Sequence, residues 1–202
     1  MRVRKTSEDR KAEIVQAALA IAFEVGPERV TTGMIAKRLG LTQPAIYKHF
    51  PSKNDIWRSI AYDLSAQVTA NIDNAKERGG DPVERLRRLV LGHLKLVLGT
   101  PALPEIMVTR DPEGIQTPVR QVIRSGMTDF ANALATAIEE AQDIGSIRAE
   151  VDAKDLAMLI LGMIQSLVLR MMVTRDPSIL LKDGSRLLEL QLSAFAQKGE
   201  GS

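Results

Sequence analysis

The sequence predicts an all-α protein of about nine helices, with an N-terminal three-helix domain followed by a larger helical bundle. Three observations carry this reading. Apolar residues recur at three- and four-residue steps along almost the whole chain, which is the period of one helix face. No long run alternates apolar with polar residues, as half-buried strands do. Glycine and proline cluster where the periodic stretches stop, as at Gly26-Pro27 and Gly79-Gly80, and both residues interrupt helices.

The elements follow in order. The first helix starts at Thr6 or Ser7, with Thr6 as cap and Glu8 and Asp9 in the first turn, where the helix dipole favours negative charge. Ile14, Ala18, Ile21, Ala22 and Val25 mark its apolar face, and Gly26-Pro27 ends it. A short helix runs from Thr32 to Leu39, capped by Thr31 or Thr32 and stopped by Gly40. A second short helix runs from Gln43 to about Phe50, with Thr42 as its cap. Pro44 then lies in the first turn, where its missing N–H had no intrahelical partner to lose. Ser52 and Asp55 form a capping-box-like start to a long helix from Lys53 to Arg78. Further helices are expected over 82–98, 102–110, 117–142, 152–173 and 182–197. "RDPEG" (110–114) reads as a loop and the terminal "KGEGS" as a frayed tail. The most apolar run, 156–169, is shorter than the roughly 20 residues a spanning helix needs. It carries Gln165 and Ser166, so a buried helix is expected and no membrane partner.

Composition narrows the function. With 202 residues, 45% hydrophobic and 26% charged, the chain can bury a core. The absence of cysteine excludes a disulfide framework, Cys-ligated zinc and a thiol nucleophile. The charged start has no apolar stretch of signal-peptide type, and a cytoplasmic location is expected. His49 and His93 are the two histidines. No Ser/His/Asp set, metal-ligand spacing or glycine-rich phosphate loop is visible, so neither an enzyme, a metal nor a cofactor is expected. The net charge is only +2, but it is unevenly placed: residues 1–56 hold ten bases against six acids. The same region holds Phe23, Tyr47 and Phe50. A basic, aromatic head on a near-neutral aliphatic body points to a polyanion partner.

"TTGMIAKRLGLTQPAIYKHF" (31–50) gives that head a shape. Ile35 and Leu39 share one face of the first short helix, and small Ala36 lets another helix cross closely. Gly40 takes the chain out of the helix in a left-handed conformation. Leu41 fills the corner, and Ile46 and Phe50 form the inner face of the next helix. This is a helix-turn-helix pattern. Gln43, Pro44, Ala45, Tyr47, Lys48 and His49 are left facing outward. Gln pairs with adenine, while Ala and Pro pack on thymine methyls. Lys, Tyr and His reach phosphates or base edges.

The segment "RVTTGMIAKRLGLTQPAIYKHFPSKNDIW" (29–57) resembles the N-terminal domain of the TetR family of transcriptional regulators. The likeness rests on the Thr-Thr opening, the Ile-Ala…Leu-Gly-Leu corner and the Tyr-x-x-Phe-Pro-Ser-Lys exit into a long helix. It implies a DNA-binding domain over 1–56 and a dimerisation and effector-binding domain over 57–202. It also implies a homodimer that places two recognition helices in successive major grooves of a palindromic operator on double-stranded DNA. Carried over by position, Thr32 holds a phosphate at its helix start, and Gln43, Pro44 and Ala45 meet base edges. Tyr47, His49 and Lys53 grip backbone, and Lys48 points at base or phosphate. Gly33 departs from the longer polar or basic residue of several relatives, so operator sequence does not transfer. The basic arm of Arg2, Arg4 and Lys5 either enters a minor groove or is a solvated tail.

The body offers two further expectations. Gly162 and Ser166, four apart among aliphatics, with Leu188, Leu192 and Phe195 on the last helix, match the family's two-helix-per-subunit dimer bundle, or else an ordinary core. The family binds a small effector between body helices. Here His93, Met107, Arg110, Gln116 and Gln165 are candidates to orient a largely apolar effector in an adaptable methionine-containing site. The alternative is a DNA-bound architectural or division-control factor whose body binds a protein instead; "ERLRRLVLGHLKLVL" fits that as well as a plain amphipathic helix.

Overall fold

The computed structural model describes residues 6–108 and 117–197, without the side chains of residues 107 and 108. The described residues form nine α-helices: α1 Ser7–Val25, α2 Thr32–Leu39, α3 Gln43–Tyr47, α4 Lys53–Glu77, α5 Pro82–Gly99, α6 Ala102–Val108, α7 Thr117–Asp143, α8 Ala153–Thr174 and α9 Ile179–Phe195. A 3-10 turn, Pro27–Arg29, joins α1 to the segment before α2. Among the described residues there is no strand, only one isolated antiparallel bridge between Ile147 and Ala196.

Side-chain caps set several of the boundaries. The Thr6 hydroxyl accepts from the Asp9 N–H at 3.1 Å, and the Asp9 carboxylate accepts from the Thr6 N–H at 3.1 Å. This reciprocal box satisfies donors at the start of α1. Thr31 caps α2 by accepting from the Met34 N–H at 3.2 Å. Before α4, Ser52 Oγ accepts from the Asp55 N–H at 3.3 Å and donates to its carboxylate at 2.7 Å. At the far end of α4, Arg88 Nη2 donates to the carbonyls of Ala75 (3.2 Å) and Gly79 (2.6 Å). Those are among the acceptors that a helix terminus leaves unpaired.

Two boundaries and one cap differ from the expected ones. The α-helical part of α3 ends at Tyr47, and turn-type bonds carry the chain on, with the His49 and Phe50 N–H groups both donating to Ile46. Thr42 stands at the N-cap position of α3, but its hydroxyl makes no capping bond. α9 starts at Ile179, earlier than residue 182, because Asp176 accepts from both the N–H (2.9 Å) and the hydroxyl (2.6 Å) of Ser178 and fixes the turn there. The loop at 110–114, the end of the helix expected to reach 110, the terminal tail and the basic arm lie outside the described residues.

The chain divides into two compact units, residues 1–65 with 100–124, and residues 66–99 with 125–202. In the first, Ile14, Ala18, Ile21, Ile35, Ile46 and Phe50 form the core, joined by Trp57, Ile60, Ala61 and Leu64 from α4. Ala102, Leu103, Ile106 and Val119 complete it. In the second, Leu86, Leu89, Val90 and Leu94 of α5 pack with Phe130, Leu134 and Ile138 of α7. α8 and α9 contribute Leu156, Ile160, Ile164, Leu167, Leu188 and Leu192.

α8 shows both of its characters. It is the one helix among the described residues that is long and apolar enough to cross a membrane, at 22 residues and mean hydropathy 2.0. The 14-residue run expected to be too short is embedded in this longer helix, so length alone does not decide its placement. Packing does for one face: Leu156, Ile160, Ile164, Leu167 and Met171 are buried in the core of the second unit. The opposite face leaves Met158, Leu159, Leu169 and Val173 exposed by half or more.

Gly184 marks a close approach inside the second unit. A Cβ there would stand 2.3 Å from Cδ1 of Leu94, whose side chain is fully buried. Gly184→Ala should lower stability by roughly 1–3 kcal/mol through overpacking, less up to about 1 kcal/mol of helix propensity. Denaturant unfolding measures this; an unchanged or raised midpoint would show that Leu94 yields freely.

Candidate nucleic-acid interface

The interface is built from the inside outward. Ile35, Ala36, Ile46 and Phe50 are buried, and Leu39 and Leu41 pack against them. Gly40 has φ of 63°, and the N–H of Leu41 bonds back to the Ala36 carbonyl at 2.9 Å. This closes α2 and turns the chain into α3. Arg38 is exposed and engaged by α1: it donates to both carboxylate oxygens of Glu24, at 3.1 and 2.5 Å. The hydrogen bond, helped by the charge, holds the Glu24 carboxyl below its usual range.

With Ile46 buried, the rest of α3 is presented outward. Gln43, Pro44, Tyr47 and Lys48 are exposed, while Ala45, His49 and Lys53 are half-buried. These residues lie on one short stretch of backbone, α3 and the start of α4. Two sequence expectations change in detail. Thr32 is buried, and its hydroxyl accepts from Nε2 of Gln43 at 3.1 Å and lies 3.2 Å from the Tyr47 hydroxyl. Its side chain is thus engaged by two residues of α3, while Thr32 itself stands in the first turn of α2, the helix start at which the phosphate contact is expected. His49 is tied through Nδ1 to the Ser7 hydroxyl at 3.4 Å, which links it to the start of α1. Ser7 and Gly33 enter the region without having been singled out as contacts: Ser7 was read only as a helix start and Gly33 only as a missing side chain.

The body residues separate more widely. Gly162, Gln165 and Ser166 are exposed on α8, so Gln165 does not line an interior site with His93. Leu188 and Leu192 are buried in the core of their own unit and are not available at its surface. That placement is the one the ordinary-core alternative expects. Phe195 is half-buried, with the Arg148 guanidinium 5.6 Å from its ring centre. The Met107 side chain, Arg110 and Gln116 lie outside the described residues. A cavity of about 240 Å³ opens between α4, α5 and α7, lined by Ile72, Lys76, Arg85, Leu89, Asp129, Asn132, Ala133 and Thr136. Of the expected effector residues that are described, neither His93 nor Gln165 lines it.

An outward polar helix on a buried two-helix corner defines a helix-turn-helix DNA-binding protein. The bacterial regulatory proteins of the tetR family match over residues 14–60, and a tetracyclin repressor-like C-terminal domain matches over 110–182. The chain belongs to the TetR family of bacterial regulatory proteins. It is 24% identical over 201 residues to the HTH-type transcriptional regulator TtgR of Pseudomonas putida, covering 95% of this chain and 93% of that one. It is 32% identical over 103 residues to the nucleoid occlusion factor SlmA of Edwardsiella ictaluri, covering 50% of this chain. The chain spans about half the length of that relative, 52%. The fold matches that of SmeT, solved as a complex with triclosan, at a TM-score of 0.72 and 23% identity, covering 96% of this chain and 95% of that one.

His93 on α5 stacks on Phe130 of α7, with ring centres 4.4 Å apart. Its Nδ1 is buried and finds no protein partner. Burial lowers its pKa to about 4. The folded state therefore keeps His93 neutral over a range where the unfolded chain takes up a proton. Stability should fall as pH drops from about 6.5 to about 4, by at most about 3 kcal/mol from this group. His93→Leu should flatten that decline in unfolding measured across the range; an unchanged slope would show that His93 does not titrate with folding.

Proposed function

We propose that the chain is a homodimeric, sequence-specific transcriptional regulator of the cytoplasm. In this reading it represses from a palindromic operator and is released by a small, largely apolar effector. Residues 1–56 serve as the DNA-binding domain and 57–202 as the dimerisation and effector domain. One observation carries the reading: burial of Ile46 turns Gln43, Pro44, Tyr47 and Lys48 outward together. Gln43 supplies a donor and an acceptor for adenine, and Pro44 and Ala45 offer apolar contact to thymine methyls. Tyr47, Lys48 and Lys53 supply phosphate contacts, which fix register and dominate salt dependence.

Dimerisation rests on the outer face of α8. Met158, Leu159, Leu169 and Val173 are exposed there, beside Gly162 and Ser166, and Leu190 is exposed on α9. A second copy meeting the same stripe buries an apolar surface that a monomer leaves in water. Gly162 has open space at its missing Cβ, which allows a close helix approach. For the effector, the cavity sets Ile72, Leu89 and Ala133 among Lys76, Arg85, Asp129, Asn132 and Thr136, which offers apolar contact together with polar groups to orient a small molecule. The triclosan complex of SmeT supports a small-molecule ligand.

The relative named as a nucleoid occlusion factor favours a second reading, in which the body binds a protein partner on DNA. A thermal-shift screen separates the two, because a ligand that binds only the folded state raises its melting temperature. Stabilisation by small apolar compounds supports effector release.

Gln43→Ala should lower the preference for selected over scrambled duplex by about 1–3 kcal/mol, whereas Lys53→Ala should weaken both equally and reduce the salt slope by about one. Titrations of each duplex at several salt concentrations read both effects. Equal loss on the two duplexes for Gln43→Ala would remove it as a base reader.

Leu169→Asp should shift the protein from dimer towards monomer in sedimentation equilibrium at micromolar concentration without loss of helical circular dichroism. A monomeric wild-type protein would overturn the dimer.

A further inference from the structure

Gly33 and Thr32 frame Gln43 in a way that reaches beyond a simple outward-facing helix. Gln43 Nε2 donates to Thr32 Oγ1 at 3.1 Å, and Thr32 Oγ1 lies 3.2 Å from the Tyr47 hydroxyl. The Thr32 side chain is buried, so its position is set by the fold. Gly33 is helical, and a Cβ built on it would lie 3.3 Å from Nε2 and 3.8 Å from Cδ of Gln43. The carboxamide therefore rests against α2 over a bare α-carbon. A larger residue at position 33 would compete for the same space.

We propose that Gly33 and Thr32 are positioning residues for base recognition: the bare α-carbon admits the Gln43 carboxamide, and the Thr32 hydroxyl presets it for reading adenine. This rests on the DNA-binding reading of the same face. The chemistry follows from the donor inventory. A carboxamide has two N–H donors and one oxygen acceptor. Thr32 occupies one donor, which leaves one donor and the acceptor, the pair that adenine presents a match for in the major groove. A glutamine is flexible, and holding it before the DNA arrives removes part of the ordering cost of binding. Thr32 has one proton to donate and room for a second acceptor interaction. When it accepts from Gln43 and donates to Tyr47, the Tyr47 O–H is free to meet a phosphate, so the base contact and the backbone contact share one hydroxyl.

The experiment is selection of duplexes from a randomised pool by the full-length protein and its variants, read by sequencing. Gln43→Ala identifies the base pair that Gln43 reads, as the position where preference is lost. Thr32→Val keeps size and removes the hydroxyl; Gly33→Val keeps the hydroxyl and fills the space. Each should weaken preference at that same base pair by roughly tenfold, the scale of one bidentate base contact. Thr32→Ser, which restores the hydroxyl, should keep preference within about twofold of wild type on that scale. Helical circular dichroism checks folding, and Gly33→Ala, a milder filling, should give a smaller loss in the same direction. Thr32→Val and Gly33→Val that retain wild-type preference there, or that lose preference at a different base pair, overturn the proposal. A wild-type protein that enriches no sequence removes the DNA-binding reading itself, and that arm stands apart from the variants.

Discussion

The left-handed turn at Gly40 is the constraint on which the first unit depends. At φ of 63°, an L side chain carries a steric penalty that glycine avoids. No atom would meet a Cβ there, so the restriction lies in the backbone and not in crowding. The turn ends α2, bonds Leu41 back to Ala36 and starts α3 at an angle that buries Ile46 completely. Once Ile46 is buried, helical geometry decides which neighbours point out. The outward polar face is thus a by-product of an apolar corner and one permissive residue.

Electrostatics reduces what the sequence advertises as basic. Arg38 is committed to Glu24 on α1 and Arg10 to Glu13 within it. In the second unit, Arg87 binds Glu189 and Glu84, and Arg85 pairs with Glu140. Ion pairs this open to solvent are screened and add little to stability. Their larger effect is on position: Arg38 joins α1 to α2, and Arg87 joins α5 to α9. Among the described residues of the head, exposed Lys37 and Lys48 and half-buried Lys53 contribute to its positive field.

The all-α class, the corner and most helix limits were legible in sequence because local chemistry sets them. Thr6 with Asp9, Ser52 with Asp55 and Gly40 each act over three or four residues. The outward placement of Gln43, Tyr47 and Lys48 was legible for the same reason, since it follows from helical period once Ile46 and Phe50 are taken as core. What escaped notice depends on contacts distant in sequence. Thr32 meets Gln43 and Tyr47, His49 meets Ser7, and Leu188 and Leu192 pack inward where spacing alone allowed either side. An apolar stripe states that a face is buried, but not against what. On α8 the stripe wraps nearly all round, and only packing distinguishes the buried Ile160 from the exposed Leu159.

The first unit is discontinuous in the chain. Ala102, Leu103, Ile106 and Val119 sit in the same core as Ile14 and Trp57, yet the chain passes through α5 before reaching them. The head is thus not a bead on a string. A fragment cut after α4 begins would leave Ile106 and Val119 behind and open apolar surface that the whole chain covers. Exchange of heads between relatives by a single crossover would break this core in the same way, because the donor's N-terminal segment would meet the recipient's α6. A transplanted head therefore needs its own α6 and start of α7 to keep this core closed.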